Sequence, residues 1–101
     1  MVKEVAILEI DEKDQEEFER IYKEIAPIIR RQPGYHQDEL LNVVENPAEY
    51  ILIIKWTDVE AHQAFIDSAD FPELVEKWGR LQKKATVRHG KMESPNSPDT
   101  T

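Results

Sequence analysis

The stretch from Tyr50 to Phe71, YILIIKWTDVEAHQAFIDSADF, constrains the fold more than any other part of the chain. It opens with an apolar run, Tyr50 to Ile54 and then Trp56, broken only by Lys55. The run has the length and isoleucine content of one strand and is too short for a helix of ordinary size. Alternation puts Tyr50, Leu52, Ile54 and Trp56 on one face and Ile51 and Ile53 on the other, so both faces of this strand are apolar. Thr57-Asp58 then stops it. Either residue is a good helix N-cap, and Glu60 stands at capping-box spacing from Thr57. The helix that follows is predicted to carry Ala61, Ala64 and Phe65 on one face and to run to about Ser68.

The rest of the chain supplies the partners for this unit. Lys3 to Ile10 reads as a first strand, and Asp11 to Asp14 as a polar turn in which Asp11 or Asp14 caps the next helix. Phe18, Ile21, Tyr22, Ile25, Ile28 and Ile29 form an apolar stripe at helical spacing, with acids at its start and Arg30 and Arg31 at its end, as the helix dipole favours. Pro27 lies inside that pattern. It predicts either a kink between Lys23 and Pro27 or a helix that ends and restarts. Gln32-Pro33-Gly34 is the next stop signal. Tyr35 to Val44 reads as a second strand, turned back by Asn46-Pro47 into the Tyr50 strand. Pro72 suits the first turn of a further helix, with Leu74, Val75, Trp78 and Leu81 as its apolar stripe. Ala85 to Met92 is a last strand. The expectation is therefore an α+β, ferredoxin-like βαββαβ domain over residues 1–93, with a four-stranded antiparallel sheet and a second helix broken near Phe71-Pro72. Residues 94–101, SPNSPDTT, hold no apolar side chain and two prolines, and are expected to be a disordered tail.

In such a fold both helices lie on one sheet face, yet the Tyr50 strand is apolar on the other face too. A second copy of the chain over that open face is the simplest cover, giving a homodimer whose sheets close into a barrel. Charge and composition exclude several other partners. A formal net charge of −8 argues against nucleic acid and against anionic membrane surfaces. No cysteine is present, so thiolate catalysis and Cys-ligated metal are out. The N-terminal segment reads as no signal peptide, and no stretch approaches the roughly 20 apolar residues of a membrane-spanning helix. A soluble, cytoplasmic protein is the expectation.

Three segments together resemble the antibiotic biosynthesis monooxygenase (ABM) domain family of dimeric α+β barrels. They are QPGY (Gln32 to Tyr35), NPAEYILIIKW (Asn46 to Trp56) and the spaced run Trp56, Phe65, Ser68 and Phe71. The resemblance spans roughly residues 2 to 92. It implies an oxygenase that uses O₂ on a small aromatic or quinol with no cofactor, neither metal nor flavin. It leaves open a dimer that binds a small aromatic or haem-like ligand without turnover, or one whose apolar faces serve self-association alone. The family's small members often carry His at the ninth position after the strand-end Trp, where this chain has Phe65. The haem-degrading branch has Trp there, an axial His four residues after the Phe71 position and an Asn late in the first strand. Here Val75 takes the axial place, and the first strand offers Ala6, Ile7 and Leu8. Haem degradation by that route is therefore not expected, while haem binding through another ligand stays open.

The candidate site residues follow from this frame. His36, beginning the second strand, is a candidate base for a phenol or quinol, and Tyr22 acting through a water is the other. Either is equally readable as an ordinary structural residue. Tyr22, Trp56, Phe65, Phe71 and Trp78 are the candidate pocket wall for a flat aromatic ligand, although each alone reads as core. His62 reads as a solvated helix residue and His89 as an exposed one. The acids from Asp11 to Glu19 read as a solvated helix face. No phosphate-binding glycine loop, nucleophile elbow or local metal motif is present.

Overall fold

A computed structural model describes residues 1–93; the expected tail at 94–101 lies outside the described residues. The strands are β1 (Val2–Ile10), β2 (Tyr35–Asn42), β3 (Glu49–Trp56) and β4 (Gln82–Lys91), with helices α1 (Gln15–Arg30), α2 (Val59–Ile66) and α3 (Phe71–Lys77). All pairings are antiparallel and the sheet order is β2-β3-β1-β4. This is the ferredoxin-like arrangement, with the second helical segment divided at Phe71-Pro72. No helix among the described residues is long and apolar enough to cross a membrane.

The alternation in β1 and β3 decides which sheet face is covered. Ala6, Leu8, Ile10, Tyr50, Leu52, Ile54 and Trp56 are buried under the helices. The α1 stripe from Phe18 to Ile29 is buried against them along its whole length. Trp78, just after α3, ties that segment to α1: its ring stacks on Phe18 with centroids 4.4 Å apart, and its Nε1 donates to the Phe18 carbonyl at 2.9 Å. Helix α1 runs unbroken through Pro27 to Arg30, so it does not end and restart there.

Several local expectations change. Strand β2 stops at Asn42 and not at Val44, because the Asn42 amide turns inward to donate to the carbonyls of Pro47 and Glu49 at 3.1 Å each. Asp58 caps α2, accepting from the Ala61 N–H at 2.8 Å, while Thr57 is drawn to His36 instead. The Ser68 hydroxyl donates to the Phe65 carbonyl at 2.7 Å, which ends α2 at Ile66. The buried residues of α2 are His62 and Phe65, and Ala64 is exposed. Val75 also faces solvent, leaving Leu74 as the buried residue of α3. Gly34 makes the close turn into β2. Its φ of +86° is left-handed, and a Cβ there would lie 2.6 Å from the Ala61 Cβ, so only glycine lets α2 approach this corner.

Candidate functional site

Between the sheet and the pair α2/α3 lies a cavity of about 420 Å³. Its floor is Ala6 and Leu8 of β1 with Leu52 and Ile54 of β3, and its roof is Phe65, Phe71 and Trp78. Phe65 and Phe71 meet edge to face, with ring centroids 5.3 Å apart. The cavity opens along β4. The register places Ala85 opposite Leu8, Val87 opposite Ala6 and His89 opposite Glu4, on the helix side of the sheet. All three are nevertheless exposed, because the helices do not reach over this edge strand.

One end of this apolar space is polar. Glu4 is only 6% exposed, and Trp56 Nε1 donates to its Oε1 at 3.0 Å. The same oxygen faces His62 Nε2 at 3.3 Å. His62 is itself 6% exposed and stacks on the Trp56 ring, with centroids 5.4 Å apart and planes 15° apart. Its Nδ1 stands 2.7 Å from Nε2 of His89. Burial drives both groups toward their neutral forms. It raises the Glu4 carboxyl, an effect the Trp56 hydrogen bond partly offsets. It lowers His62 to about 4, with the charge of His89 adding to the effect. At neutral pH His62 is therefore an uncharged imidazole, able to accept a proton at one nitrogen while donating at the other.

Of the residues singled out as a pocket wall, the structure brings Phe65, Phe71 and Trp78 together on this cavity. Trp56 stands behind it, fully buried, and reaches it through Glu4 and His62. Tyr22 lies elsewhere, in a groove between α1 and β2. Its hydroxyl donates to Asp38, which also accepts from Tyr35 and from Arg30 Nε at 2.8 Å and Nη2 at 3.1 Å. Burial and the neighbouring Asp38 carboxylate together hold the proton on Tyr22 well above the usual phenol range. His36 is exposed on β2, with its Nε2 2.8 Å from the Thr57 hydroxyl, and does not line the cavity.

His62 is the main revision: it is buried and not solvated. Two signals in the sequence point to the cluster. Glu4 shares the parity of Ala6, Leu8 and Ile10, which places a carboxyl on the covered face of β1. His62 lies three residues before Phe65 and four after the Asp58 cap, on the face that the cap turns toward the sheet. Among the described residues no group of three or more His, Cys, Asp or Glu has the geometry to hold a metal ion.

Known proteins share both the sequence and the fold. A sequence profile described as antibiotic biosynthesis monooxygenase matches residues 1–77. Uncharacterized protein YczJ of Bacillus subtilis (strain 168) is 35% identical over 74 residues, covering 72% of this chain and 78% of that protein. Deoxynogalonate monooxygenase of Streptomyces nogalater is 30% identical over 89 residues, covering 84% of this chain and 73% of that protein. A crystal structure of a proposed antibiotic biosynthesis monooxygenase from Bordetella bronchiseptica superposes with a TM-score of 0.86 at 27% identity, covering 90% of this chain and 95% of that one. SnoaB, a cofactor-independent oxygenase from Streptomyces nogalater, shares the fold at a TM-score of 0.75 and 23% identity, covering 97% of this chain and 96% of that one.

Proposed function

The chain belongs to the antibiotic biosynthesis monooxygenase family, and on that premise we propose that it oxygenates a small electron-rich aromatic with O₂, without metal or flavin. The observation that carries this reading is the aromatic-roofed cavity with one polar end. Its volume of about 420 Å³ suits a flat fused-ring ligand. Phe65, Phe71 and Trp78 offer ring faces and edges to such a ligand, and the histidine end offers proton acceptors.

In this proposal a substrate with an acidic methylene or phenol, such as an anthrone or a quinol, loses a proton in the cavity. Its anion then reduces O₂ directly. For an anthrone the net change is CH₂ + O₂ → C=O + H₂O. The methylene carbon supplies all four electrons, so the reaction consumes no external reductant. The protein's part is to bind the ring system, take the proton and exclude bulk water from the anion. Tyr22 keeps its proton and donates to Asp38, so it acts as a structural donor in this scheme. His36 is left outside the cavity.

We also propose that the working form is a homodimer through the open sheet face. Ile7, Leu41, Val5, Ile51 and Ile53 make an apolar band there, with Ile7 and Leu41 each 44% exposed. Cross-strand neighbours Lys3 and Lys55 flank one end of the band, and Glu9 and Glu49 flank the other. A two-fold partner laid antiparallel would set the lysine end of each copy over the glutamate end of its mate.

The test is aerobic oxidation of 1,8-dihydroxyanthrone by protein dialysed against chelator, followed by absorbance and oxygen uptake. Catalysed uptake supports the oxygenase. Saturable quenching of tryptophan fluorescence without uptake would favour a non-catalytic binder of aromatic or haem-like ligands.

A further inference from the structure

We infer that His89, at the mouth of the cavity, is the base that takes the substrate proton, with His62 and Glu4 as positioning residues behind it. The inference deepens the oxygenase reading and rests on it. It follows from the order of hydrogens along the chain Trp56–Glu4–His62–His89. The Trp56 indole N–H is a donor only, so Glu4 Oε1 is an acceptor in their 3.0 Å bond. That electron-rich oxygen faces His62 Nε2 at 3.3 Å, which favours the tautomer with hydrogen on Nε2. Neutral His62 then has its lone pair on Nδ1. The 2.7 Å contact from there to His89 Nε2 is made by His89 donating. Neutral His89 is thereby held with a bare Nδ1, which has no hydrogen-bonding partner among the described residues. His62 Nδ1 is engaged by His89 and its Nε2 lies 3.3 Å from Glu4 Oε1, so the imidazole lone pair of the cluster that faces no partner belongs to His89.

Placement agrees with this order. His62 is enclosed, while His89 is exposed on the uncovered edge strand, on the helix side of the sheet directly opposite Glu4. His89 lines the open side of the cavity together with Val87 and Ala85. In the proton-transfer step the substrate O–H or C–H bond breaks, its electron pair stays on the substrate, and an N–H bond forms at His89 Nδ1. The Nε2 hydrogen of His89 shifts toward His62, spreading the positive charge toward Glu4. For an anthrone the carbanion adds O₂ to give C–O–O⁻; the O–O bond then breaks as the remaining C–H hydrogen leaves with the outer oxygen as hydroxide, C=O forms, and the proton held on His89 converts that hydroxide to water. Among the described residues, Glu4, His62 and His89 are the only titratable groups that line the cavity. Helix α1 contributes Ile29, α3 contributes Phe71 and Leu74 with Trp78 just after its end, and β3 contributes Leu52 and Ile54. On α2 the remaining acid, Glu60, and the capping Asp58 and Asp67 are all exposed and line no part of the cavity.

Two measurements on the full chain test the inference. Imidazole ¹⁵N NMR at pH 6 is expected to show neutral His62 with hydrogen on Nε2, and the ¹⁵N resonances of the His89 ring are expected to move in Glu4→Gln and His62→Gln. Turnover of 1,8-dihydroxyanthrone is expected to fall about 100-fold or more in His89→Gln, with fluorescence quenching by the anthrone retained. A smaller loss of about 10-fold in His62→Gln, with a displaced acid limb of the pH profile, marks a positioning role that plain packing would not produce. Wild-type turnover in His89→Gln overturns the inference. So does NMR showing hydrogen on Nδ1 of His62, or His89 ring resonances indifferent to both variants. Should the wild type oxidise no anthrone, the oxygenase reading fails by itself, and the NMR result alone decides whether the hydrogen order stands.

Discussion

Replacing Trp56 by Phe probes the polar end of the cavity through stability, independently of any substrate. The change keeps an aromatic ring against His62 and Phe65 but removes the only hydrogen-bond donor that the indole supplies to Glu4. Trimming part of a fully buried side chain costs about 1 kcal/mol on the scale of other partial core truncations. Withdrawing a donor from a buried carboxyl adds about 1–3 kcal/mol. The expected loss is therefore about 2–4 kcal/mol, a sizeable share of the roughly 5–15 kcal/mol that a domain has. With a urea slope of about 1.5 kcal/mol/M, a 3 kcal/mol loss lowers the midpoint by about 2 M. The decisive form is a double-mutant cycle with Glu4→Met. Each single variant orphans a buried partner, whereas the double variant replaces both by apolar groups, so the double should be at least ~1 kcal/mol better than the two singles added. Additivity within about 0.5 kcal/mol would refute the coupling of Trp56 to Glu4.

Other expectations concern the frame around the site. Gly34→Ala puts a Cβ at left-handed φ and against Ala61; the backbone alone costs about 1–2 kcal/mol, and the melting temperature should fall by at least ~5 °C, an unchanged melt contradicting the account. Burial opposes ionisation of Asp38, but the hydrogen bonds from Arg30, Tyr22 and Tyr35 overcome it and hold the carboxyl at about 2. Because this folded value lies below the unfolded one near 3.8, the stabilisation is fully present above about pH 5 and is lost as pH falls toward 2. Asp38→Asn should cost about 1–2 kcal/mol at pH 7, and its deficit relative to wild type in urea titrations should shrink between pH 4 and 2. Ile53→Glu, on the open sheet face, should convert a dimer to monomer by light scattering at micromolar protein without changing far-ultraviolet circular dichroism. Persistence of the dimer would place the interface elsewhere.

Much of the frame was legible because periodicity carries it. The Phe18 to Ile29 stripe is buried as its spacing predicts, and β3 presents the faces that its alternation assigns. Boundaries shifted where one side chain outcompeted the backbone pattern, as Asn42 does at the end of β2 and Ser68 at the end of α2. The site was less legible because its polar members come from three separate elements. The parity of Glu4 and the spacing of His62 each hint at burial, but only the register of β1 with β4 and the capping of α2 bring Glu4, His62 and His89 together. His62 in particular sits in a helix too short for a clear amphipathic stripe, so its burial depended on Trp56 and Glu4 beneath it. Tyr22 shows the converse. Its aromatic character marked it for the pocket wall, but Asp38 draws its hydroxyl to a groove on the other side of α1.

The most direct test of the central claim is isotopic. The chain, dialysed against chelator and free of flavin, is supplied with 1,8-dihydroxyanthrone under ¹⁸O₂, and the product is examined by mass spectrometry. Direct reaction of the bound anion with O₂ gives a quinone carrying a single ¹⁸O atom at the new carbonyl, formed with one O₂ consumed per product and slowed strongly in His89→Gln. Anthrone oxidised no faster than in buffer, or a quinone whose new oxygen comes from water, would contradict it.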